Sequence, residues 1–481
     1  MAFPTTTSLV AALRARKVSA RELLDQAIAR IEAGDVRLNA VVVRDFERAR
    51  RAASAADAAL ARGEPGALLG VPMTVKESFN VAGLPTTWGL AAAAGRLAES
   101  DAVAVSRLKA AGSVILGKTN VSANLHDWQS VNPVYGRTAN PWDTDRTPGG
   151  SSGGAAAALA AGFVPLELGS DLAGSLRVPA HCCGIYAHKP THGLLPNRGH
   201  APPGAPVLSV GLDADLAVIG PMARGAADLA LALDVLAGPD DAPATAYRLE
   251  LPAPRHARLA DYRVLVLDEH PLLPTAAEVR ALIERFAGDL KRAGCRVERS
   301  SPLLPDLTSV AETFVRLLMS FIGANTPEAS YRAMQDRAAA TATDAPDALM
   351  RRSLVGSYRD WMLAHRMRTF HLHQWRQLFR AWDIVVCPVL PVTAFAHTDA
   401  QMDERRIDVD GRALPYGLLA VWAGLASAGG LPSTALPLGL GSGGMPVGVQ
   451  AIGPYLEDRS TIAFAELAER EFGGFTAPPA C

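Results

Sequence analysis

Thr147-Pro148-Gly149-Gly150-Ser151-Ser152-Gly153-Gly154 and Gly169-Ser170-Asp171-Leu172-Ala173-Gly174-Ser175-Leu176-Arg177 carry most of the information in this chain. Each places a serine among glycines, and each lies at the edge of an expected helix or strand. Glycine tolerates positive φ and lets the backbone approach another group closely. A loop of this kind can aim several N–H groups at one point, which is what a developing oxyanion requires. Taken alone, a Gly/Ser run is usually a flexible loop. The reading changes when a third element is added upstream, the short apolar run Gly70-Val71-Pro72-Met73-Thr74-Val75-Lys76, an expected strand that ends on a lysine.

Elsewhere in the chain, Ser19 and Glu22 form an S-x-x-E capping pair, and Leu23, Leu24, Ala27, Ile28 and Ile31 continue at helical spacing toward a stop at Gly34. Residues 46–61, 102–111, 155–161 and 276–293 also read as helices. The stretches 113–116, 164–168, 263–267, 295–298 and 383–389 read as short apolar strands between them, which indicates an α/β class. Residues from roughly 301 to 380 are mostly helical in pattern, and no linker interrupts the chain. The expectation is therefore one domain over residues 1–481, with a helical insert or lid at 301–375 that contributes to the substrate pocket.

The bulk numbers exclude several classes. With 49% hydrophobic and 20% charged residues the chain has enough apolar matter for a large core, and a formal net charge of −1 gives no electrostatic footprint for nucleic acid or an anionic membrane. Five scattered cysteines do not form a disulfide framework, so a reducing, cytoplasmic setting is expected. The N-terminus does not read as a signal peptide. The most membrane-like stretch, 416–441, is broken by Pro432, Pro437 and glycines and reads as buried strand and loop.

The residues resemble the amidase signature family. Gly149–Gly154 and Gly169–Arg177 look like its core signature, and Gly70–Glu77 looks like its lysine motif. Asn140-Pro141-Trp142, Gly184–Gly193, Gly430-Leu431-Pro432, Gly444–Gln450 and Asp458-Arg459 fit its flanking pattern. The likeness spans nearly the whole chain in the right order and is weakest at 301–375. It implies a central mixed, twisted sheet covered by helices on both faces. It implies Ser175 as nucleophile, Ser151 as a bridging serine after a cis peptide bond, and Lys76 as base. The oxyanion hole would come from the N–H groups of Leu172, Ala173, Gly174 and Ser175, with Ser152, Asp171 and Arg177 in support and Leu125, His126 and Gln129 toward the substrate. Ala173 departs from the family, where glycine is usual. The resemblance calls for no cofactor and no metal. It implies a small-molecule amide or carbamate as substrate, neither nucleic acid nor membrane as partner, and leaves room for a homodimer.

Such a set fits amide chemistry. An amide is a poor electrophile with a poor leaving group, so the serine needs a base and the amine needs a proton as it departs. A lysine serves as base only when uncharged, and burial lowers its value from ~10.4. The expected function is thus hydrolysis of the C–N bond of carboxamides, with aryl amides, carbamates and esters open, through an acyl-enzyme. The alternatives are a glutamine-hydrolysing subunit of a tRNA-dependent amidotransferase and a non-catalytic binding module.

Three other motifs compete. Gly112–Thr119 matches G-x-x-x-x-G-K-T, yet its middle is itself a β-like run, contrary to a phosphate loop. Cys182, Cys183, His188 and His192 have a zinc-like spacing but read better as packing. His126-Asp127 suggests a Ser-His-Asp hydrolase, but no G-x-S-x-G surrounds either serine.

Overall fold

The structure, a computed structural model, describes residues 3–205, 214–342 and 347–479. It is built on an eleven-stranded sheet. In chain order the strands are β1 Val41–Arg44, β2 Pro72–Lys76, β3 Val114–Thr119, β4 Leu166–Asp171, β5 Tyr186–Lys189, β6 Val218–Ala223, β7 Arg263–Val266, β8 Arg296–Glu298, β9 Ile384–Pro388, β10 Ser433–Leu440 and β11 Pro446–Ile452. Their order across the sheet is β1-β3-β2-β4-β6-β5-β10-β11-β9-β7-β8. Only the pairs β3–β2, β2–β4, β9–β7 and β7–β8 are parallel, so the sheet is mixed. Every residue of β2, β3, β4 and β6 is buried, as expected of strands covered on both faces. Helix Phe46–Ala61 packs on β3, Gly153–Ala160 on β4 and β6, and Arg177–Cys183 and Asp458–Phe472 on β10 and β11.

The capping box forms as read. Ser19 Oγ accepts from the Glu22 N–H at 3.1 Å, and Glu22 Oε2 accepts from the Ser19 N–H at 2.8 Å. The helix does not stop at Gly34, however. It runs to Leu38 and ends on Asn39 in the left-handed conformation, φ 52°. Gly34 is small because Phe163 lies against it: a Cβ there would come 3.1 Å from the ring.

The parallel pairing of β2 and β4 matters most. Val75 faces Leu168, so the C-terminal ends of the two strands lie side by side, with Lys76 on one and Ser170 and Asp171 on the other. The loops that follow such strand ends are where α/β sheets build their sites.

Two readings are corrected. Residues 416–441 are not strand and loop throughout: Ala420–Ala428 is a wholly buried helix, and β10 follows it. The prolines that suggested a loop lie beyond the Ala-rich helical segment. The segment expected to be an insert holds helices Leu307–Ala324, Glu328–Ala340, Ala348–Leu354 and Tyr358–Ala381, so the boundary expected at 375 falls inside a helix. Leu307–Ala324 is long and apolar enough to cross a membrane by composition, but Phe314, Leu317 and Leu318 bury one face of it in the core. Phe314 lies against Gly424, where a Cβ would come within 2.6 Å of its ring.

The phosphate-loop match fails on geometry. Gly117, Lys118 and Thr119 belong to β3, and Gly117 pairs so closely with β1 that a Cβ would meet the Val43 carbonyl at 2.3 Å.

Candidate active site

Lys76 is fully buried at the end of β2. Its Nζ lies 2.7 Å from Ser151 Oγ and 2.9 Å from Ser170 Oγ. Burial pushes the ammonium down to about 7, against the opposing pull of the Asp171 charge. The next residue is buried as well. The buried Glu77 carboxylate accepts from the Thr87 N–H at 2.7 Å, the Thr87 hydroxyl at 2.9 Å, the Trp88 N–H at 2.9 Å and the Tyr135 hydroxyl at 3.0 Å, which folds residues 77–88 back over the strand end. His200 lies beside this loop, its Nε2 3.0 Å from Ser78 Oγ and its ring between Phe79 and Trp88. Burial and the Lys76 charge hold it down at about 3, so its imidazole is neutral at ordinary pH.

Ser151 follows the one cis peptide bond among the described residues, Gly150–Ser151. This loop is packed from all sides. A Cβ on Gly149 would lie 2.7 Å from Pro179 Cα, and one on Gly150 would lie 2.3 Å from the Asp127 carbonyl. The glycines are therefore required by close contact and, at Gly149, also by its φ of 84°. Ser152 joins the two serine loops: its N–H donates to the Ser175 carbonyl at 3.3 Å, and its hydroxyl donates to the Ser170 carbonyl at 3.3 Å.

Ser175 is 8% exposed, and its hydroxyl has no protein hydrogen-bond partner among the described residues. Its loop is held by Asp171. Oδ1 accepts from the Gly174 N–H at 2.8 Å, and Oδ2 accepts from the Leu176 N–H at 3.1 Å. Arg177 grips the same carboxylate with Nε and Nη2, each at 3.0 Å. Its remaining N–H groups reach the Ala423 carbonyl at 2.9 Å, Gln450 Oε1 at 2.7 Å and Ser427 Oγ at 3.0 Å. Burial alone would raise the Asp171 carboxyl; the Arg177 guanidinium overrides this and holds it at about 2. The pair anchors the loop to the C-terminal half of the chain.

The four N–H groups expected to form an oxyanion hole differ in their partners. Gly174 spends its N–H on Asp171, so it is not open to an oxyanion. The N–H groups of Leu172, Ala173 and Ser175 have no protein acceptor among the described residues. The expected substrate-facing residues separate likewise. Gln129 is buried and uses both ends of its amide on the Thr398 backbone, Nε2 to the carbonyl at 3.1 Å and Oε1 from the N–H at 2.9 Å, so it holds a loop rather than facing a ligand. Leu125 is half-buried with φ 60°, and His126 is exposed, its ring within reach only of Asn124 among the described residues. Asp127 pairs with Arg405 at 2.6 Å and accepts from the Tyr416 hydroxyl at 2.8 Å, so no His126–Asp127 dyad serves either serine.

His188 is likewise committed, with Nδ1 2.9 Å from Thr434 Oγ1 and Nε2 3.1 Å from Asp458 Oδ1, which removes it from the zinc-like set. Sequence reasoning missed Ser170, Trp128 and His200. Ser170 had a signal, since it lies two residues past the apolar run 164–168 and next to Asp171. Trp128 had one too, since it lies between His126 and Gln129 in the stretch expected to face the substrate, whereas His200 had none.

The comparisons agree with this architecture. The amidase family profile matches residues 22–462. A glutamyl-tRNA(Gln) amidotransferase subunit from Anaeromyxobacter sp. (strain K) is 33% identical, over 98% of this chain and 96% of that one. The indoleacetamide hydrolase of Bradyrhizobium diazoefficiens is 33% identical, over 96% of this chain and 85% of that one. The crystal structure of a bacterial aryl acylamidase of the amidase signature family superposes with a TM-score of 0.80 at 25% identity, covering 98% of this chain and 96% of that one. The chain belongs to the amidase family, the amidase signature enzymes.

Proposed function

We propose that this amidase hydrolyses a small carboxamide through an acyl-enzyme on Ser175, with Ser151 as proton relay and Lys76 as base. The observation that carries this reading is the buried Lys76 amine, brought to about 7 and 2.7 Å from Ser151 Oγ. An amine so placed is neutral for much of the time at physiological pH and has a hydroxyl as its proton partner. Ser151 passes its proton to Lys76 Nζ while it takes the proton of Ser175 Oγ, which attacks the amide carbon. As the tetrahedral intermediate collapses, Ser151 hands a proton to the leaving nitrogen and recovers one from Lys76. Water then repeats the cycle and releases the acid. The N–H groups of Ala173 and Ser175 are the donors for the oxyanion.

The helical segment 301–375 is the proposed source of acyl-pocket selectivity. Phe314 packs on Gly424, and the adjoining Ala423 closes the space beside Gly174, where a Cβ would meet its methyl at 3.0 Å. A change in the insert therefore reaches the nucleophile loop through one helix. Aryl amides and indoleacetamide-like amides come first as substrates, given the relatives with those activities.

A second reading follows from the amidotransferase relative: release of ammonia from glutamine for a partner. One experiment separates the two. The purified chain is assayed alone on aliphatic amides, aryl amides, carbamates, esters and glutamine. Turnover of non-glutamine amides supports the first reading; turnover of glutamine alone, dependent on a co-purified partner, supports the second.

A further inference from the structure

The Ala173–Gly174 peptide unit is held at both of its polar ends. The Trp128 indole Nε1–H donates to the Ala173 carbonyl at 3.0 Å. The Gly174 N–H, on the opposite edge of the same trans unit, donates to Asp171 Oδ1 at 2.8 Å. A peptide plane bonded on both edges has little freedom to rotate. The flanking units, which carry the Ala173 and Ser175 N–H groups, are joined to it at the Ala173 and Gly174 Cα atoms, so holding this plane limits how they turn. Gly174 sits at φ 101°, where a Cβ would come 2.9 Å from Val178 Cγ2 and 3.0 Å from Ala423 Cβ. A side chain at this position would collide with both neighbours and strain the backbone.

Trp128 is itself held from a distant segment. Its ring meets Tyr416 edge-on at 5.3 Å between centroids. The Tyr416 hydroxyl donates to Asp127 Oδ1 at 2.8 Å, and Arg405 bonds Asp127 Oδ2 at 2.6 Å while its guanidinium lies 5.2 Å from the Tyr416 ring centroid. Indole, phenol, carboxylate and guanidinium thus form one braced unit, and its polar contact with the nucleophile loop is the indole N–H.

We propose that Trp128 is a positioning residue for the oxyanion loop. Its N–H, opposed by Asp171, turns the Ala173–Gly174 peptide so that the Ala173 and Ser175 N–H groups face the developing oxyanion. This rests on Ser175 being the nucleophile. The role is one of aim: the indole N–H is spent on the Ala173 carbonyl and bonds none of Lys76, Ser151 and Ser175. Loss of the N–H therefore weakens transition-state binding and leaves ground-state binding and the titration of Lys76 in place.

The test is Trp128→Phe, measured beside Ser175→Ala on the best amide found. The expected result is a fall in kcat of about ten- to a hundredfold, a KM within about threefold of the parent, and an unchanged pH midpoint. The affinity for a simple arylboronic acid, which adds to a serine Oγ as a tetrahedral anion, falls by the same factor as kcat/KM. If Trp128→Phe does not fold, site-specific replacement of Trp128 by its benzothienyl analogue keeps the shape and removes only the N–H, with the same expectation. A kcat within twofold of the parent, a change in KM alone, or boronate affinity that stays put while kcat falls would overturn the proposal. If Ser175→Ala keeps its turnover, the fault lies in the nucleophile assignment; if it is inactive and Trp128→Phe is fully active, the fault lies here.

Discussion

Lys76 Nζ lies 2.7 Å from Ser151 Oγ, and the second atom it meets, Ser170 Oγ at 2.9 Å, is also a hydroxyl. The buried amine thus faces neutral partners, and the nearest opposing charge acts on it from Asp171. Burial prevails, so Lys76 titrates near about 7. With chemistry rate-limiting, kcat/KM should rise about tenfold per pH unit below that point and level off above pH ~8. A stopped assay between pH 5 and 9 checks this; a flat profile would remove Lys76 as base.

The same group affects stability with a definite sign. In the unfolded chain a lysine keeps its proton up to ~10.4. In the fold Lys76 releases it near about 7. Between these values the unfolded chain binds more protons, so the contribution of Lys76 to stability rises with pH across that window. Lys76→Met should therefore stabilise the chain by roughly 1–3 kcal/mol at pH 6, with the gain shrinking toward pH 10. Urea unfolding of both proteins across that range measures the difference, which also cancels the other buried lysines.

Asp171 and Arg177 are both fully buried and bonded to each other twice, at 3.0 Å. Arg177→Met leaves the carboxylate alone in the core and should cost about 3–5 kcal/mol. Replacing both, Asp171→Leu with Arg177→Met, should recover part of that stability. Activity should be lost in both variants: the single change leaves the carboxylate without its anchor, and the double change takes away the acceptor of the Gly174 and Leu176 N–H groups. Thermal melts with amide turnover separate the two effects.

Gly117 is needed for strand pairing, because a Cβ would press on the Val43 carbonyl at 2.3 Å. Gly117→Ala should destabilise by about 1–3 kcal/mol. Calorimetric titration of the parent with ATP and Mg²⁺ should give no binding heat; micromolar affinity would restore the phosphate-loop reading.

Much of the frame was legible in the residues. The capping pair at Ser19 and Glu22, the apolar run ending at Lys76 and the helix over 46–61 all followed from local periodicity and capping, which are short-range physics. The motif order was enough to identify the family. What escaped depended on distant contacts. Gly34 looked like a stop because nothing local announces Phe163 beside it. Gly174 looked like an oxyanion donor because its bond to Asp171 is a matter of loop shape. Gln129 was placed toward the substrate because its partner, Thr398, is far along the chain and nothing local announces it.

The central claim is that Ser175 Oγ carries the acyl group. The most direct measurement is intact-protein and peptide mass analysis after reaction with a fluorophosphonate, in which a serine Oγ–P bond forms and fluoride leaves. The account predicts one adduct, located on the peptide containing Ser175, lost in Ser175→Ala and slowed in Lys76→Met. An adduct on another residue, or one that persists in Ser175→Ala, would contradict it.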